Sequence, residues 1–243
     1  MSNQVVNPAT PSIDQDILNR IVKEVFMRLG SSGESAPPPQ PNPSHDHGVA
    51  SNSAKIPVGV SVRHLHIGKK DMETLFGPGA ELHSFRELYQ PGEFAAQETV
   101  SIAGPRMRVL EKVRILGPTR DRTQVELART DAIFLGIDAP VRMSGDLMGS
   151  APITIIGPKG VVELKDGCIR AMRHIHMNPK EAETFGLKSG DVVKLRVGGP
   201  SGVTFDNVVI RISDKVRLQV HLDTDEGNVA DIHCNQEVEI IKE

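Results

Sequence analysis

The sequence contains very few aromatic residues. It has no tryptophan and a single tyrosine, Tyr89, so that aromatic residues make up 3% of the chain. This composition excludes the stacking platforms on which proteins bind single-stranded nucleic acid. A large excess of charge is also lacking, since 28 Lys and Arg residues face 31 Asp and Glu residues. We therefore expect no nucleic-acid partner and no binding to an acidic membrane surface.

Cysteine motifs and long apolar runs are absent as well. The two cysteines, Cys168 and Cys234, form no CxxC pair. Because the N-terminus does not resemble a signal peptide, we predict two reduced thiols in a cytosol and no disulfide. No apolar run has the length of a membrane-spanning helix. The 243 residues are enough for two small domains, each with its own core.

The sequence does contain an internal repeat. The stretch RHLHI at residues 63–67 returns as RHIHM at residues 173–177. Three residues that follow the first stretch, Lys70, Glu73 and Thr74, recur at the same offset as Lys180, Glu183 and Thr184. A likeness of this extent predicts a duplicated domain, with related structure or chemistry at the two equivalent places.

The first 54 residues are of a different kind. Apolar residues recur at helical spacing from Ser12 to Leu29, which predicts an amphipathic helix within residues 1–30. Residues 31–54 are rich in Pro, Gly and Ser and are predicted to form a flexible linker. The helix is either docked on the main body or acts as a targeting or assembly peptide, and the long linker favours the second role.

From Lys55 onward, short β-rich runs alternate with Gly/Pro turns. Many short strands at short spacing favour β-barrels, and the duplication then predicts two similar ones. Short helices are predicted after each histidine pair, at Lys69 to Phe76 and at Pro179 to Phe185. The predicted fold is therefore mainly β, with two barrels capped by short helices.

The two HxH pairs are candidate metal ligands. Side chains two apart on a strand share a face, and their Cα atoms lie roughly 6.5 Å apart, from which two imidazoles can converge on one ion. A single HxH pair is more often structural, whereas two repeated pairs favour metal sites. His221, in the run VRLQVHLDTDEGN, lies opposite an apolar face and could complete a set of three.

Several runs together resemble a known family. The runs VSVRHLHI, YQPGEFAAQETV, RILGPTRDRTQVELARTDAIFLGIDAPVRMSGD, RHIHM and VHLDTDEGN closely resemble the PduL-type phosphate acyltransferases, the phosphotransacylases of bacterial microcompartments. The resemblance covers about residues 55 to 243. It implies acyl transfer between coenzyme A and phosphate, with two zinc ions bound between two β-barrels. It also implies an N-terminal encapsulation helix that binds shell proteins.

The resemblance further assigns roles to individual residues. It implies one zinc ligand set of His64, His66 and Glu126 and a second of His174, His176 and His221. It implies phosphate contacts from Arg120 and Asn228, and coenzyme A contacts from Ser61 and Arg114. It also places residues 63–171 in the first barrel and residues 55–62 with 172–243 in the second. Without the resemblance, Glu126, Arg120 and Asn228 would be taken for an exposed strand carboxylate, a solvated turn cation and a turn residue.

We therefore expect a zinc-dependent phosphate acyltransferase acting on propanoyl-CoA or acetyl-CoA by direct attack, without a covalent acyl-enzyme. Cys168, close before Arg173, is taken for a small buried thiol and not for a nucleophile. The expected location is a bacterial microcompartment in the cytoplasm, and the expected assembly is a homo-oligomer. Two alternatives remain open at this point: a two-metal hydrolase of a thioester or phosphoester, and a non-catalytic scaffold protein with structural zinc.

Overall fold

The computed structural model of the protein describes residues 54–241 together with residues 20, 23 and 24. The helix predicted within residues 1–30 and the linker predicted at residues 31–54 lie outside the described residues, apart from a few positions. Arg20, Lys23 and Glu24 are helical and exposed, and Ala54 begins the first strand. None of the described helices is long and apolar enough to cross a membrane.

Residues 54–241 form short strands and four short helices. The strands are β1 (Ala54–Ser61), β2 (His64–His66), β3 (Ser84–Glu87), β4 (Phe94–Ala103), β5 (Val109–Gly117), β6 (Gln124–Glu126), β7 (Val141–Arg142), β8 (Ala151–Ile156), β9 (Val161–Ala171), β10 (His174–Met177), β11 (Val192–Val197), β12 (Val203–Ile212), β13 (Gln219–Asp223) and β14 (Glu237–Ile241). The helices are α1 (Lys69–Phe76), α2 (Arg129–Leu135), α3 (Pro179–Phe185) and α4 (Thr224–Val229). The predictions for α1 and α3 are confirmed at both ends, whereas α2, α4, β3 and β7 were not predicted.

Two closed β-barrels account for most of the structure. The first closes in the order β4, β5, β2, β6, β9 and β8, because β8 pairs with both β9 and β4. β3 and β7 extend this sheet outside the closed path. The second closes in the order β1, β13, β10, β12, β11 and β14. The predicted mainly β fold with two similar barrels is therefore confirmed.

The two histidine strands have the same neighbours in the two barrels. β2 lies between parallel β5 and antiparallel β6, and β10 lies between parallel β12 and antiparallel β13. In register, His64 is paired with Glu126 and His174 with His221. The duplication therefore makes Glu126 and His221 equivalent residues.

The middle residue of each histidine pair anchors its strand in a barrel core. Leu65 and Ile175 are both fully buried and belong to the two separate hydrophobic clusters. Ile175 is paired with Val220 on one side and Ile210 on the other, and both are buried. Because successive side chains of a strand point to opposite faces, the histidines on either side of Leu65 and Ile175 point away from these cores.

The chain passes from one barrel to the other immediately before each histidine strand. β1 pairs with β13 and β14 of the second barrel, although the next strand, β2, belongs to the first. β9 pairs with β6 and β8 of the first barrel, although the next strand, β10, belongs to the second. Both histidine strands therefore begin at the seam between the barrels.

Candidate active site

A cleft of about 1020 Å³ lies at this seam. Both barrels line it, and the outward-pointing side chains of β2, β6, β10 and β13 converge there. The side chains fall into two groups of three whose ligand atoms lie within 4.8 Å of one another in each group. The first cluster consists of His64, His66 and Glu126, and the second cluster consists of His174, His176 and His221. The structure thus brings together all six residues predicted as metal ligands.

The first cluster presents lone pairs to one point. The Glu126 carboxylate lies 3.5 Å from His64 Nε2 and 3.9 Å from His66 Nε2. His64 Nδ1 lies 2.8 Å from the Val62 carbonyl oxygen, and because a carbonyl only accepts, Nδ1 donates and the neutral ring has its lone pair on Nε2. His64 Nε2 and the carboxylate therefore both act as electron-pair donors, an arrangement that fits a bound cation.

The electrostatics of His66 also suit a ligand. Burial, the neighbouring His64 and the charge of Arg120 lower the pKa of His66 to about 2, so the imidazole is neutral at physiological pH. His66 Nδ1 is buried and has no hydrogen-bond partner within the described part of the chain. A neutral imidazole is the form that binds a metal ion.

The second cluster repeats this arrangement with three histidines. His174 Nδ1 lies 2.8 Å from the Met172 carbonyl oxygen, which places the proton on Nδ1 as in His64. His174 Nε2 then offers its lone pair toward His176 Nε2, 3.1 Å away. Burial lowers the pKa of His174 and of His221, and burial with the neighbouring His174 lowers the pKa of His176 to about 3. Three neutral imidazoles whose nitrogen atoms lie close together can bind a zinc-like ion, because zinc accepts nitrogen ligands.

Two glutamines, which sequence reasoning missed, support the third ligand of each cluster. Gln124 and Gln219 are equivalent in the repeat, because they are paired with His66 and His176 respectively. Gln124 Nε2 donates to Glu126 Oε1 at 2.5 Å, and Gln219 Oε1 lies 2.9 Å from His221 Nε2.

Further hydrogen bonds hold both glutamines in place. The Gly145 amide donates to Gln124 Oε1 at 2.7 Å, and Gln90 Nε2 donates to Gln219 Oε1 at 3.3 Å. The repeat of QVE at residues 124–126 as QVH at residues 219–221 was the sequence signal for both glutamines.

A duplicated ion pair anchors the start of each histidine strand. Arg63 Nε donates to Asp131 Oδ1 at 2.8 Å, and Arg173 Nε lies 2.8 Å from Glu226 Oε1. The two carboxylates belong to α2 and α4, the helices that follow β6 and β13. Arg63 therefore connects the start of β2 to α2, the helix after the strand that carries Glu126. Arg173 likewise connects the start of β10 to α4, the helix after the strand that carries His221.

The residues predicted to contact substrates lie at different places. Arg120, from the first barrel, lines the cleft and is half-buried, and its guanidinium lies 3.4 Å from Glu93 Oε1 and 3.5 Å from Ser144 Oγ. Burial is the main cause that lowers its pKa. Ser61 and Arg114 also line the cleft. Arg114 Nη1 donates to the carbonyl oxygens of Ala96 and Gln97 at 2.8 and 3.0 Å, which fixes this side chain within the first barrel.

Asn228 is not brought together with these residues. It lies in the last turn of α4, is exposed and is not among the residues that line the cleft. Without the resemblance the sequence indicates a turn at Asn228, whereas the structure places this residue in a helix. A phosphate contact from Asn228 stays a prediction that this geometry does not support.

Comparisons with known proteins show which family this chain resembles. The family model described as phosphate propanoyltransferase matches residues 57–233. A phosphate propanoyltransferase of Lachnoclostridium phytofermentans is 50% identical over 186 residues, which cover 76% of this chain and 87% of the relative. One from Planctopirus limnophila is 42% identical over 240 residues, covering 95% and 93% of the two chains. One from Thermotoga maritima is 50% identical over 188 residues, covering 77% and 89%.

Proposed function

The chain belongs to the phosphate propanoyltransferase family, and on this premise we propose that it transfers a short acyl group between coenzyme A and inorganic phosphate in the cleft between the barrels. The observation that carries the proposal is the meeting of the two clusters and the half-buried Arg120 in one cleft. Propanoyl-CoA is the favoured substrate, because the relatives carry the propanoyl name. Acetyl-CoA is the second candidate.

We propose that each cluster holds one zinc ion, giving two per chain. Both clusters fit a zinc ion, because each offers three protein ligands. Among the residues that the structure describes, no cysteine belongs to either cluster. Three ligands leave a position for a substrate, as in catalytic zinc sites, whereas structural sites are closed by four. When bound, zinc would supply positive charge that polarises the acyl carbonyl oxygen and stabilises the departing thiolate.

Arg120 is proposed to bind the phosphate nucleophile. Its guanidinium offers planar, charge-assisted hydrogen bonds, and its half-buried position limits competition from water. A phosphate oxygen forms a bond to the acyl carbon, the carbon–sulfur bond breaks, and the thiolate leaves with the electron pair. The reverse reaction uses the same groups, with the coenzyme A thiolate attacking the acyl phosphate.

A covalent acyl-enzyme through the buried cysteine is not part of this proposal. Cys168 is fully buried in the core of the first barrel, and burial raises the pKa of its thiol to about 12. A thiol in this environment is protonated at neutral pH and cannot act as a nucleophile. Cys168 and Cys234 are both free cysteines in the structure, and reduced thiols in a cytosol stay a prediction.

The location in a bacterial microcompartment is also a proposal. It rests on the predicted amphipathic helix within residues 1–30, which would bind a shell protein by burying its apolar stripe. Deleting residues 1–30 should leave kcat unchanged and abolish co-localisation with the matching shell. If the truncated protein loses activity and melts well below the full-length chain, the helix is structural. We also propose a homo-oligomer, which size-exclusion chromatography with light scattering would test.

The activity itself is tested by thiol release from a panel of acyl-CoA thioesters. We expect release that requires phosphate, is fastest with propanoyl-CoA, and is lost on chelation and restored by zinc. Release that is independent of phosphate would indicate a hydrolase, and no release from any thioester would indicate a scaffold protein. Arg120→Ala should mainly weaken the use of phosphate, whereas an equal loss for both substrates would indicate a structural arginine.

A further inference from the structure

Arg211 is a second arginine of the cleft to which sequence reasoning assigned no role. It lies on β12 and is paired with His176 in the parallel ladder between β12 and β10. The neighbouring pair, Ile210 and Ile175, is buried in the core of the second barrel. Because side chains alternate along a strand, Arg211 points to the opposite face, the one that carries His176, and it lines the cleft.

Among the described residues, no carboxylate forms an ion pair with the guanidinium of Arg211. Arg211 is half-buried, and no hydrogen bond or ion pair joins its side chain to another of the residues that the structure describes. In contrast, the Arg114 guanidinium is held by two carbonyl oxygens. A partly desolvated cation that faces a cavity without a counter-ion is stabilised by an anionic ligand.

The duplication shows that this charge is specific to the second barrel. In the first barrel, β5 pairs with β2 so that Arg114 lies beside His64 and Ile115 beside Leu65. The next residue of β5, Leu116, therefore lies beside His66, as Arg211 lies beside His176 in the second barrel. Leu116 is thus the equivalent of Arg211, and it also lines the cleft. The first cluster includes the Glu126 carboxylate and adjoins an apolar side chain, whereas the second has three neutral histidines and adjoins an arginine. At this one position, the second cluster therefore adjoins a positive charge that the first cluster lacks.

Arg211 and Arg120 both line the cleft. The positive charge of Arg211 is close enough to Arg120 to contribute to the lowered pKa of Arg120, after the larger effect of burial. It also contributes to the lowered pKa of His174, His176 and His221. Two guanidinium groups that repel each other across a cavity are both satisfied by a multiply charged anion between them.

We propose that Arg211 is a second phosphate-binding residue, which together with Arg120 holds the phosphate group beside the second cluster. This inference rests on the proposed function. It places inorganic phosphate, or the phosphoryl group of the acyl phosphate, on the side of the second barrel. The thioester is then left to the first cluster. Coenzyme A also carries phosphate groups, so the experiment must separate these two sources of the same chemistry.

The test compares Arg211→Gln and Arg211→Lys with the wild-type protein. Arg211→Gln should raise KM for phosphate about 10- to 100-fold, the range for a lost charge-assisted contact, with less than about a twofold change in KM for propanoyl-CoA. Arg211→Lys should lie in between, because it keeps the charge and loses the planar pair of donors. Arg196→Ala is the matched control, since Arg196 is exposed on β11 of the same barrel and does not line the cleft.

A direct binding measurement separates failure of this inference from failure of the proposed function. Calorimetric titration of the zinc-loaded protein with inorganic phosphate should show affinity weakened by the same factor in Arg211→Gln, with an unchanged melting temperature. If the wild-type protein forms no acyl phosphate, the proposed function fails, whereas the titration still tests Arg211. Equal phosphate affinity in wild type and Arg211→Gln, or a loss confined to propanoyl-CoA, would overturn the inference.

Discussion

Lowering the pH should destabilise the metal-free protein because folding lowers the pKa of four of its clustered histidines. Burial lowers the pKa of His66 to about 2 and of His176 to about 3, and it also lowers the pKa of His174 and His221. In the unfolded chain these imidazoles titrate near their ordinary value of about 6.5. The unfolded chain therefore binds more protons below that pH, and the free energy of unfolding falls as the pH falls.

The size of this effect follows from the same shifts. Between pH 7.5 and 5.5, a histidine that titrates only in the unfolded chain costs about 1.4 kcal/mol of unfolding free energy. His66 and His176, whose folded-state pKa values lie far below this range, together cost about 3 kcal/mol. The lowered pKa values of His174 and His221 add to this loss, which is a large part of the stability of a typical domain. The loss should begin near pH 7 and continue down toward the folded-state pKa values.

Urea unfolding of the chelator-treated protein at a series of pH values measures this dependence. In His176→Gln, one titrating group is removed, so the difference in unfolding free energy between pH 7.5 and 5.5 should shrink by about 1.4 kcal/mol. His233→Gln is the control and should leave the difference unchanged, because His233 is exposed in the folded protein. An unchanged difference in His176→Gln, or a stability that rises on acidification, would refute the reasoning.

Three further predictions concern groups around the clusters. Arg63→Ala should cost about 1–3 kcal/mol of unfolding free energy, because it leaves the buried Asp131 carboxylate unpaired; a loss below about 0.5 kcal/mol in urea unfolding would contradict this. Gln124→Ala should weaken zinc binding at the first cluster about 10- to 100-fold in competition with a chelating dye, because Glu126 loses its oriented hydrogen bond; unchanged affinity would show that Gln124 does not support the ligand. In the native protein, a thiol reagent should modify exposed Cys234 quickly and buried Cys168 only on unfolding; two fast thiols would show that the first barrel is open.

Much of the fold could be predicted because the repeat and the strand pattern are local signals. The histidine pairs lie on strands with an apolar residue between them, and this alternation already indicates one buried and one outward face. The helices α1 and α3 were predicted at both ends because each follows its histidine strand directly. In contrast, β7 spans only Val141–Arg142, which is too short for any periodicity to be visible.

The supporting residues could not be predicted in the same way, because their roles depend on strand pairing between distant segments. Arg211 resembles any polar residue on the outer face of a strand until β12 is placed beside β10. Arg63 is distant in sequence from Asp131, and only the fold brings the two together. Asn228 was carried over from the resemblance, and the helix α4 places it on the exposed surface.

The most direct test of the proposed activity is the identity of the product. Zinc-loaded protein is incubated with propanoyl-CoA and inorganic phosphate, and the reaction is followed by phosphorus NMR. We predict a new acyl phosphate signal that grows in step with free thiol and does not appear after chelation. Release of thiol with propanoate as the product and no change in the phosphate signal would contradict the account.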